Sequence, residues 1–270
     1  MSPGRPRQPS RAVLIALLFL TGVPLAAHAQ GTPEERGARI VSEARQRVSG
    51  YGDFTASLSV TLSDADGRER VREMRILGLE VPGDGAKTLA VFDLPRDLRG
   101  TSVLTVTHRD ERSEQWLYLP AIRRVRRVAS SRQTESFMGS EFTYEDLGSH
   151  EFHGYRHTFL REEPLEGRTA LVLERVPLDT SSAYARQVLW LDATGYRVLR
   201  VDYYDHDEQL EKTLTVDGYR EYDGGQWRAD RMVMQNVQTG TWTRLEWRDY
   251  AFGTGLTDRD FDPQRLGRPR

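Results

Sequence analysis

Histidines are the first residues whose spacing could support chemistry. The segment HEFHGYRH places His150, His153 and His157 within eight residues of one another, and Glu151 could add a carboxylate to a metal site. On a strand, however, His153 and His157 share one face while His150 points to the other. We therefore favour solvated histidines over a metal site, and we predict neither a metal nor another cofactor.

Serine nucleophiles would give a different chemistry, the hydrolysis of a lipid ester. Ser140 in MGSEF and Ser102 in GTS both lie beside apolar residues. Neither has an assignable histidine and aspartate partner, and the chain contains no G-x-S-x-G elbow, H-E-x-x-H motif, Walker loop or glycine-rich dinucleotide fingerprint. The sequence therefore predicts a protein without enzymatic activity, with a lipid hydrolase as the less favoured alternative.

Four arginines lie close together after the strand-like segment EQWLYLP. Arg123, Arg124, Arg126 and Arg127 alternate with valine in IRRVRRV. On an edge strand, such charges block pairing with another chain. The alternative is that the guanidinium groups bind an anionic head group or an acidic partner, because arginine matches the geometry of carboxylate and phosphate. Both interpretations place these side chains on a surface.

A mixed apolar and acidic segment follows the arginines, after the polar linker ASSRQTES. Gly139 and its neighbouring methionine make this segment adaptable. We predict a short helical lid over an apolar cavity, because a lid must pack when the cavity is empty and yield when it is filled. The alternative is a connecting loop with a hydrophobic anchor. The predicted lid residues are Phe137, Met138, Phe142, Tyr144 and Leu147, and the predicted cavity wall residues are Trp116 and Tyr118.

Residues 1–29 have the pattern of a cleavable secretory signal. Arg5, Arg7 and Arg11 precede the apolar run AVLIALLFLTGVPLAA, and Ala27-His28-Ala29 is a small-x-small cleavage site. The chain contains no cysteine, so neither lipidation of an N-terminal cysteine nor a disulfide is expected. No later run is long enough for a membrane helix. We expect residues 30–270 to form one soluble periplasmic domain that is not lipidated.

The charge of the chain bears on its partners. The formal net charge of −2 becomes −5 without residues 1–29 and their three arginines. This mild acidity argues against a nucleic-acid partner. No linker, repeat or low-complexity tract divides the remaining residues, which favours a single domain.

Hydrophobic periodicity predicts one helix followed by a long series of strands. Thr32 and Pro33 suit the N-terminus of an amphipathic helix. Its apolar stripe consists of Ile40, Val41, Ala44 and Val48. From Phe54 the period changes to two, and about eleven or twelve strands follow, separated by short turns such as DADG. The sequence predicts a mainly β fold built from an antiparallel meander.

Several strands carry bulky apolar residues on both faces, which a one-sided open sheet would not need. We therefore predict a large curved antiparallel sheet around an apolar cavity. Aromatic residues late in the chain could line that cavity or belong to an ordinary core. These residues are Trp190, Tyr203, Trp227, Trp242 and Trp247.

Two motifs resemble a known bacterial family. QWLYLPAIRRVRRV and SFMGSEFTYEDL are similar to outer-membrane lipoprotein-sorting-like proteins related to LolA and LolB, and the likeness extends to LRGTSVLTVTH and FDPQRL. The resemblance implies a half-open antiparallel β-barrel whose mouth is closed by helices and whose interior accepts acyl chains. It also implies a carrier role in the periplasm and, because family members often accompany RND/MMPL exporters, an exporter as partner. The chain differs from LolA in its length and in the segment RRVRRVASSRQTESFMGSEF.

Taken together, the sequence predicts a monomeric periplasmic carrier or chaperone for a lipid, a lipidated protein or another amphiphile. Burial alone would supply affinity, because each methylene group removed from water contributes about 0.8 kcal/mol. The alternative from another class is a non-catalytic adaptor subunit of an exporter, which would need a stable partner and no ligand.

Overall fold

In the computed structural model, the described residues are 1, 4, 31–109, 111–147 and 154–267. Most of the predicted signal peptide, including its apolar run and cleavage site, lies outside them. Within these ranges one α-helix precedes thirteen strands. No helix in the same ranges is both long and apolar enough to cross a bilayer. The elements are α1 (Pro33–Val48), β1 (Asp53–Ser63), β2 (Glu69–Val81), β3 (Gly85–Leu94), β4 (Ser102–Thr107), β5 (Glu114–Leu119), β6 (Arg124–Arg127), β7 (Tyr155–Leu165), β8 (Arg168–Pro177), β9 (Arg186–Asp192), β10 (Val198–Tyr204), β11 (Leu210–Tyr222), β12 (Gln226–Asn236) and β13 (Trp242–Phe252).

All thirteen strands belong to one antiparallel sheet. Its spatial order is β6-β5-β4-β3-β2-β1-β13-β12-β11-β10-β9-β8-β7, so the first and last strands are neighbours in the middle. The sheet is open, because β6 and β7 at its edges each have only one strand partner. A twisted sheet of this size curls. The predicted fold class, mainly β with a large curved antiparallel sheet and an N-terminal helix, is therefore confirmed.

One face of the sheet, which we call the inner face, is apolar across nearly its whole width. The strand register places apolar residues opposite one another on successive strands. Examples are the pairs Met74–Phe92, Val60–Leu245, Val201–Leu214 and Leu173–Leu189. Helix α1 packs on the half formed by β7 to β12, and residues 136–147 pack on the half formed by β1 to β5.

Helix α1 begins at a capping box, as the sequence predicts. The backbone N–H of Glu35 donates to Thr32 Oγ1 at 3.2 Å, and the N–H of Thr32 donates to Glu35 Oε2 at 2.9 Å. The predicted stripe is buried except at its last residue, Val48, which is 46% exposed because the helix ends there. Gly37 extends the buried stripe one turn towards the N-terminus.

The outer face of the sheet has its own cover over β2 to β5. The C-terminal residues Leu256, Phe261 and Leu266 are buried against this part of the outer face. Elsewhere the outer face carries ion pairs, including Arg231 with Asp217 between neighbouring strands and Arg248 with Glu73 across β1. The two faces therefore differ, since the cover of the outer face has only short 3₁₀ helices, whereas the inner face is covered by α1 and by part of the connection between the two edge strands.

The prediction that the lid residues form a short helix is wrong. The chain after β6 contains one 3₁₀ turn at Ser130–Arg132 and then consists of turns closed by an isolated bridge between Ser136 and Thr143. Met138 has φ +53° and Gly139 has φ +77°, which reverses the chain direction and interrupts a helix. The segment predicted as a lid is a loop of turns in which these two residues adopt the left-handed conformation.

Gly37 provides a test of how α1 sits on β7. A Cβ atom at this position would lie 2.9 Å from the backbone oxygen of His157 and 3.0 Å from the backbone nitrogen of Phe159, which cannot rotate away. Gly37→Ala is therefore expected to lower the free energy of unfolding by about 1–3 kcal/mol, measured by urea denaturation. In an exposed helix the same change would raise it by about 1 kcal/mol.

The neighbouring Ala38 is exposed and supplies the control. Ala38→Gly is expected to cost about 1 kcal/mol, through helix propensity alone. A Gly37→Ala protein that is as stable as the wild type would show that α1 does not pack closely on β7.

Candidate functional site

The candidate site is the inner face together with the residues that cover it between the two sheet edges. We call residues 136–147 the cover segment. It lies in the connection between β6 and β7, which are the two edges of the sheet, so the chain crosses the open side of the sheet at this point. A guest that reaches this part of the inner face must displace the cover segment or pass beside it.

The apolar side chains of the cover segment contact both halves of the inner face. Phe137 is 8% exposed and packs with Phe92, at 6.4 Å between ring centroids. Phe142 is 6% exposed and belongs to the cluster that includes α1. The other predicted lid residues, Met138, Tyr144 and Leu147, pack beside Phe137 and are partly buried. The structure thus brings all five predicted lid residues to the inner face, and contact with a ligand stays a prediction.

Hydrogen bonds to strand residues hold the middle of the cover segment. The Gln115 side-chain amide donates to the Tyr144 carbonyl oxygen at 2.8 Å. The Glu141 backbone N–H donates to Thr243 Oγ1 at 3.0 Å. These contacts fix the segment to β5 on one side and to β13 on the other.

Two carboxylates hold the C-terminal end of the cover segment. Glu145 accepts hydrogen bonds from Ser182 Oγ at 2.6 Å and from the Ala183 backbone N–H at 3.0 Å. Asp146 is buried and its Oδ2 accepts from the Tyr184 hydroxyl at 2.9 Å. Burial raises the pKa of the Glu145 carboxyl, although its two hydrogen bonds oppose the shift.

A row of buried polar residues crosses the inner face close to these carboxylates. Strand register places the members of the row opposite one another on β7 to β12. They are His157, Arg175, Gln187, Tyr203, Lys212 and Asn236, and all are buried. Tyr184 links the row to the cover segment, since its ring centroid lies 4.8 Å from that of Tyr203 while its hydroxyl binds Asp146.

Charges from the cover segment and from the polar row act on two buried or partly buried tyrosines, Tyr203 of the row and Tyr155 beside it. Burial raises the pKa of the Tyr203 hydroxyl well above its ordinary value, the charge of Asp146 raises it further and Arg175 opposes the shift. The pKa of Tyr155 is raised by burial and responds to the same two charges. Asp146 of the cover segment and Arg175 of the polar row therefore both lie within electrostatic reach of these two tyrosines.

Sequence reasoning missed this polar row, because each strand contributes only one of its residues. Lys212 carries the one signal that could have drawn attention, since it is one of only two lysines in the chain. Only the strand register shows that it lies on the same line as Tyr203 and Gln187.

A second feature that the sequence reasoning missed is an aromatic cluster where β1 begins and β13 ends. Stacked or tilted rings lie 5.2–6.0 Å apart, and they remain partly exposed. The rings belong to Tyr51, Phe54, Tyr222, Trp247, Tyr250 and Phe252. A pocket of about 370 Å³ lies against Tyr222, Tyr250 and Phe252. Arg228 lies 5.4 Å from the Phe252 ring centroid, and its burial lowers the pKa of its guanidinium group.

The aromatic residues singled out late in the sequence divide between the two faces. Tyr203 and Trp247 pack on the inner face, whereas Trp190 belongs to a cluster on the outer face of β8 to β10. Trp227 is 39% exposed. They therefore do not form one cavity wall.

Trp116 and Tyr118 lie apart from the predicted lid residues. Both pack on the outer face with Leu256, Phe261 and Leu266 of the C-terminal segment. Leu117, between them, points to the inner face and packs in the cluster of the cover segment. Because side chains alternate along a strand, the two aromatic residues share the face opposite to Leu117.

The predicted arginine surface includes the edge strand β6. Arg124, Arg126 and Arg127 belong to β6, and Arg123 precedes it with φ +51°. Arg127 forms an ion pair with Glu114. The side chains of Arg123, Arg124 and Arg126 are exposed and have no ion-pair partner within the described ranges. The edge-strand interpretation is confirmed, and the predicted contact with a head group or partner stays a prediction.

The two serines considered as nucleophiles each donate a hydrogen bond to a nearby backbone carbonyl oxygen. Ser140 is buried, and its hydroxyl donates to the Phe137 carbonyl oxygen at 2.7 Å. Ser102 Oγ donates to the Gly100 carbonyl oxygen at 3.1 Å. His157 is buried on β7, while His150 and His153 lie outside the described residues. Across the described part of the chain, no group of three or more metal-ligating side chains comes together.

These features define a class of protein: an open, curled antiparallel sheet whose apolar inner face is covered by one helix and one connecting segment. Solved structures share this arrangement. An outer membrane lipoprotein-sorting protein domain from Vibrio parahaemolyticus is 44% identical, with a TM-score of 0.85, and the match covers 87% of this chain and 100% of that chain. A DUF1329 family protein from Desulfovibrio piger is 28% identical, with a TM-score of 0.82 and the same coverage.

More distant similarity extends to the LolA superfamily. A LolA superfamily protein from Nitrosomonas europaea is 19% identical, with a TM-score of 0.66, over 84% of this chain and 97% of that chain, which shows a shared fold. A family model described as an uncharacterized protein matches residues 84–268. No curated protein matches the chain. The chain belongs to the family of outer-membrane lipoprotein-sorting-like proteins.

The raised pKa of Glu145 gives the closed cover segment a dependence on pH. A carboxyl group whose pKa is higher in the folded state stabilises that state most when it is protonated. Its contribution is therefore largest below the ordinary pKa of 4.5 and declines as pH rises through the raised value. Glu145→Gln should remove this decline, measured as the free energy of unfolding in urea between about pH 4 and 8.

Glu135, an exposed carboxylate just before the cover segment, provides the matched control. Glu135→Gln is expected to keep the pH profile of the wild type. Identical profiles for the wild type and Glu145→Gln would mean that Glu145 is not the group that titrates in the closed segment.

Proposed function

We propose that this protein is a periplasmic carrier that holds an acyl chain or a similar apolar guest on its inner face, in the place of the cover segment. The observation that carries the proposal is the nature of that cover. An apolar surface extends across the sheet, and the part facing β1 to β5 is closed by a loop of turns that joins the two free edges. Outer-membrane lipoprotein-sorting relatives support the same role.

The energies of the cover and of a guest are comparable. Burying a large apolar side chain contributes about 1.5–3 kcal/mol, and burying each methylene group of an acyl chain contributes about 0.8 kcal/mol. A guest with a long acyl chain can therefore replace the contacts of the buried side chains Phe137 and Phe142 without a net loss of apolar burial. The partly exposed rings of Tyr222, Tyr250 and Phe252 offer a second apolar surface along which a chain can extend.

The role we propose is binding rather than catalysis. The Ser140 hydroxyl already hydrogen-bonds to the backbone of its own turn, which is a structural use of that group. A nucleophile would need an adjacent base. A lipid, a lipidated protein or another amphiphile is the proposed cargo, and an RND/MMPL-type exporter is the proposed membrane partner.

The first test is native mass spectrometry, with organic extraction, of protein expressed to the periplasm and purified without detergent. We expect a discrete bound lipid mass, because an apolar guest of long chain length dissociates slowly in water. An empty protein that also fails to take up a fluorescent fatty acid would overturn the carrier function. A stable protein partner without lipid would instead favour an adaptor subunit.

Displacement of the cover segment can be tested with a disulfide, since the chain contains no cysteine of its own. The double variant Glu141→Cys/Thr243→Cys would link the segment to β13 at the existing hydrogen bond. We expect oxidation to reduce the uptake of a fluorescent fatty acid at least tenfold, and reduction to restore it. Each single cysteine variant serves as a control. Uptake that is unaffected by the formed disulfide would contradict displacement.

We also propose that the arginine-rich end of the sheet, which includes the edge strand β6, contacts the anionic surface of a membrane. Cargo would be exchanged at this contact. The segments 69–72, 95–100 and 122–127 lie at the same end of the sheet and contain eight arginines against two acidic residues, although the whole chain has a net charge of −2. Val71, Leu94 and Ile122 are 46–52% exposed in or beside these segments. Basic residues mixed with exposed aliphatic residues favour binding to anionic lipid head groups.

Vesicle co-sedimentation tests this surface. The triple variant Arg123→Gln/Arg124→Gln/Arg126→Gln should bind vesicles containing phosphatidylglycerol about a hundredfold more weakly than the wild type, since each arginine near the surface contributes about 1 kcal/mol. The control Arg39→Gln/Arg109→Gln/Arg259→Gln changes the same charge at exposed positions elsewhere. Equal binding by both triple variants would exclude this edge as the membrane contact.

A further inference from the structure

The cover segment itself has the chemical character of an anionic amphiphile. Its apolar side chains lie between Phe137 and Tyr144, where the one carboxylate, Glu141, accepts from the Thr241 hydroxyl, and they are followed directly by the carboxylates of Glu145 and Asp146. The apolar part packs on the apolar rows of the inner face, and the acidic part reaches the polar row and the turn before β9. The inner face therefore already binds an apolar body with an acidic head, which belongs to the chain itself.

The groups that meet these carboxylates are hydrogen-bond donors. Ser182 Oγ and the Ala183 N–H donate to Glu145, and the Tyr184 hydroxyl donates to Asp146. Donors arranged in this way suit carboxylate or phosphate oxygens.

Two cations lie in the polar row beneath the same region. Arg175 is 5% exposed and Lys212 is 6% exposed. The Arg175 guanidinium has neutral neighbours, because its Nε donates to Gln187 Oε1 at 2.7 Å and its Cζ lies 4.4 Å from the Tyr155 ring centroid. Lys212 Nζ lies 5.5 Å from the Tyr184 ring centroid, and its nearest carboxylate oxygen is that of Glu211 at 3.5 Å.

Burial of a cation is costly where no counter-ion contacts it. Among the described residues this holds for Arg175, and Lys212 has only the 3.5 Å ion pair with Glu211. The carboxylates of the cover segment lie next to this region, since Asp146 accepts from the hydroxyl of Tyr184, whose ring centroid is 5.5 Å from Lys212 Nζ. When a guest displaces the cover segment, Glu145 and Asp146 move away with the segment. Their negative charge is then lost from the region of Arg175 and Lys212. An anionic guest would restore the missing charge, whereas a neutral guest would not.

We propose that Arg175, Lys212 and Tyr184 form the head-group site of the carrier, and that a guest carboxylate or phosphate occupies it in place of Glu145 and Asp146. The proposal rests on the carrier function stated above and specifies its cargo class as anionic amphiphiles. The cover segment then acts as an internal competitor with the same chemical pattern as the cargo.

The test compares probes that share a sixteen-carbon chain and differ in their heads. Palmitate carries a carboxylate, hexadecyl phosphate carries a phosphate, and monopalmitoylglycerol is neutral. For the full-length chain, we expect at least one anionic probe to bind roughly ten to a hundredfold more tightly than the neutral probe, since charge-assisted hydrogen bonds are about twice as strong as neutral ones. The comparison of palmitate with hexadecyl phosphate identifies the preferred head.

Two variants remove the cations, and the second lysine provides a matched control. Lys212→Met and Arg175→Gln should each reduce the ratio of anionic to neutral affinity at least fivefold, while affinity for the neutral probe is kept. Lys87 lies on the outer side, where its Nζ is 2.7 Å from Asp258 Oδ1, so Lys87→Met should keep the wild-type ratio. The ratio is read on protein that retains a cooperative unfolding transition, which separates a selective effect from a loss of folding.

The double variant Glu145→Gln/Asp146→Asn tests the competition from the other side. It should bind palmitate several-fold more tightly than the wild type, because the neutral segment competes less well for the same cations. Equal binding of the anionic and neutral probes by the wild type would overturn the head-group site and leave the carrier function intact. A protein that binds none of the three probes would overturn both.

Discussion

The structure depends on one requirement, which is that the apolar inner face of an open sheet must be kept from water. An open sheet of thirteen strands has two free edges, and its inner face cannot be closed by pairing those edges with one another. Helix α1 covers one half, and the cover segment covers much of the other. The helix is fixed by close backbone packing at Gly37, whereas the cover segment is held by a few hydrogen bonds and by side chains that a guest can replace.

Electrostatics reinforces this difference between the two covers. Helix α1 presents an apolar stripe to the inner face, and its ion pair between Arg36 and Glu162 involves residues that are not buried. The cover segment brings two carboxylates close to a row that contains two buried cations. Displacement of the cover segment would change both the net charge and the exposed apolar area of the inner face. Charge and apolar burial together therefore favour an occupant that resembles the segment itself.

Much of the fold could be predicted from local patterns, because the helix stripe, the two-residue alternation and the turn residues are short-range signals. The position of a segment that packs on the inner face could also be predicted, since its aromatic and methionine residues interrupt the strand pattern between an arginine cluster and the next strand. Its loop conformation could not, because it depends on the positive φ angles of Met138 and Gly139. Trp116 and Tyr118 were predicted to line the cavity but pack on the outer face. The error arose because WLYL is apolar on both faces of the strand, and only tertiary packing determines which face is the inner one. The polar row was missed because it becomes visible only once six strands are in register.

The pairing of β1 with β13 has a consequence for how the chain reaches this structure. Each half of the sheet is a meander of neighbouring strands, β1 to β6 and β7 to β13, and the cover segment is part of the connection between the halves. The contact that unites the halves joins residues 53–63 to residues 242–252, so it forms between nearly the two ends of the described chain. Contacts of such long sequence separation are slow to form. Until the last strand has been delivered, the two meanders are tethered only through the segment that will later cover them, and their apolar faces are open to whichever chaperone or lipid meets them first.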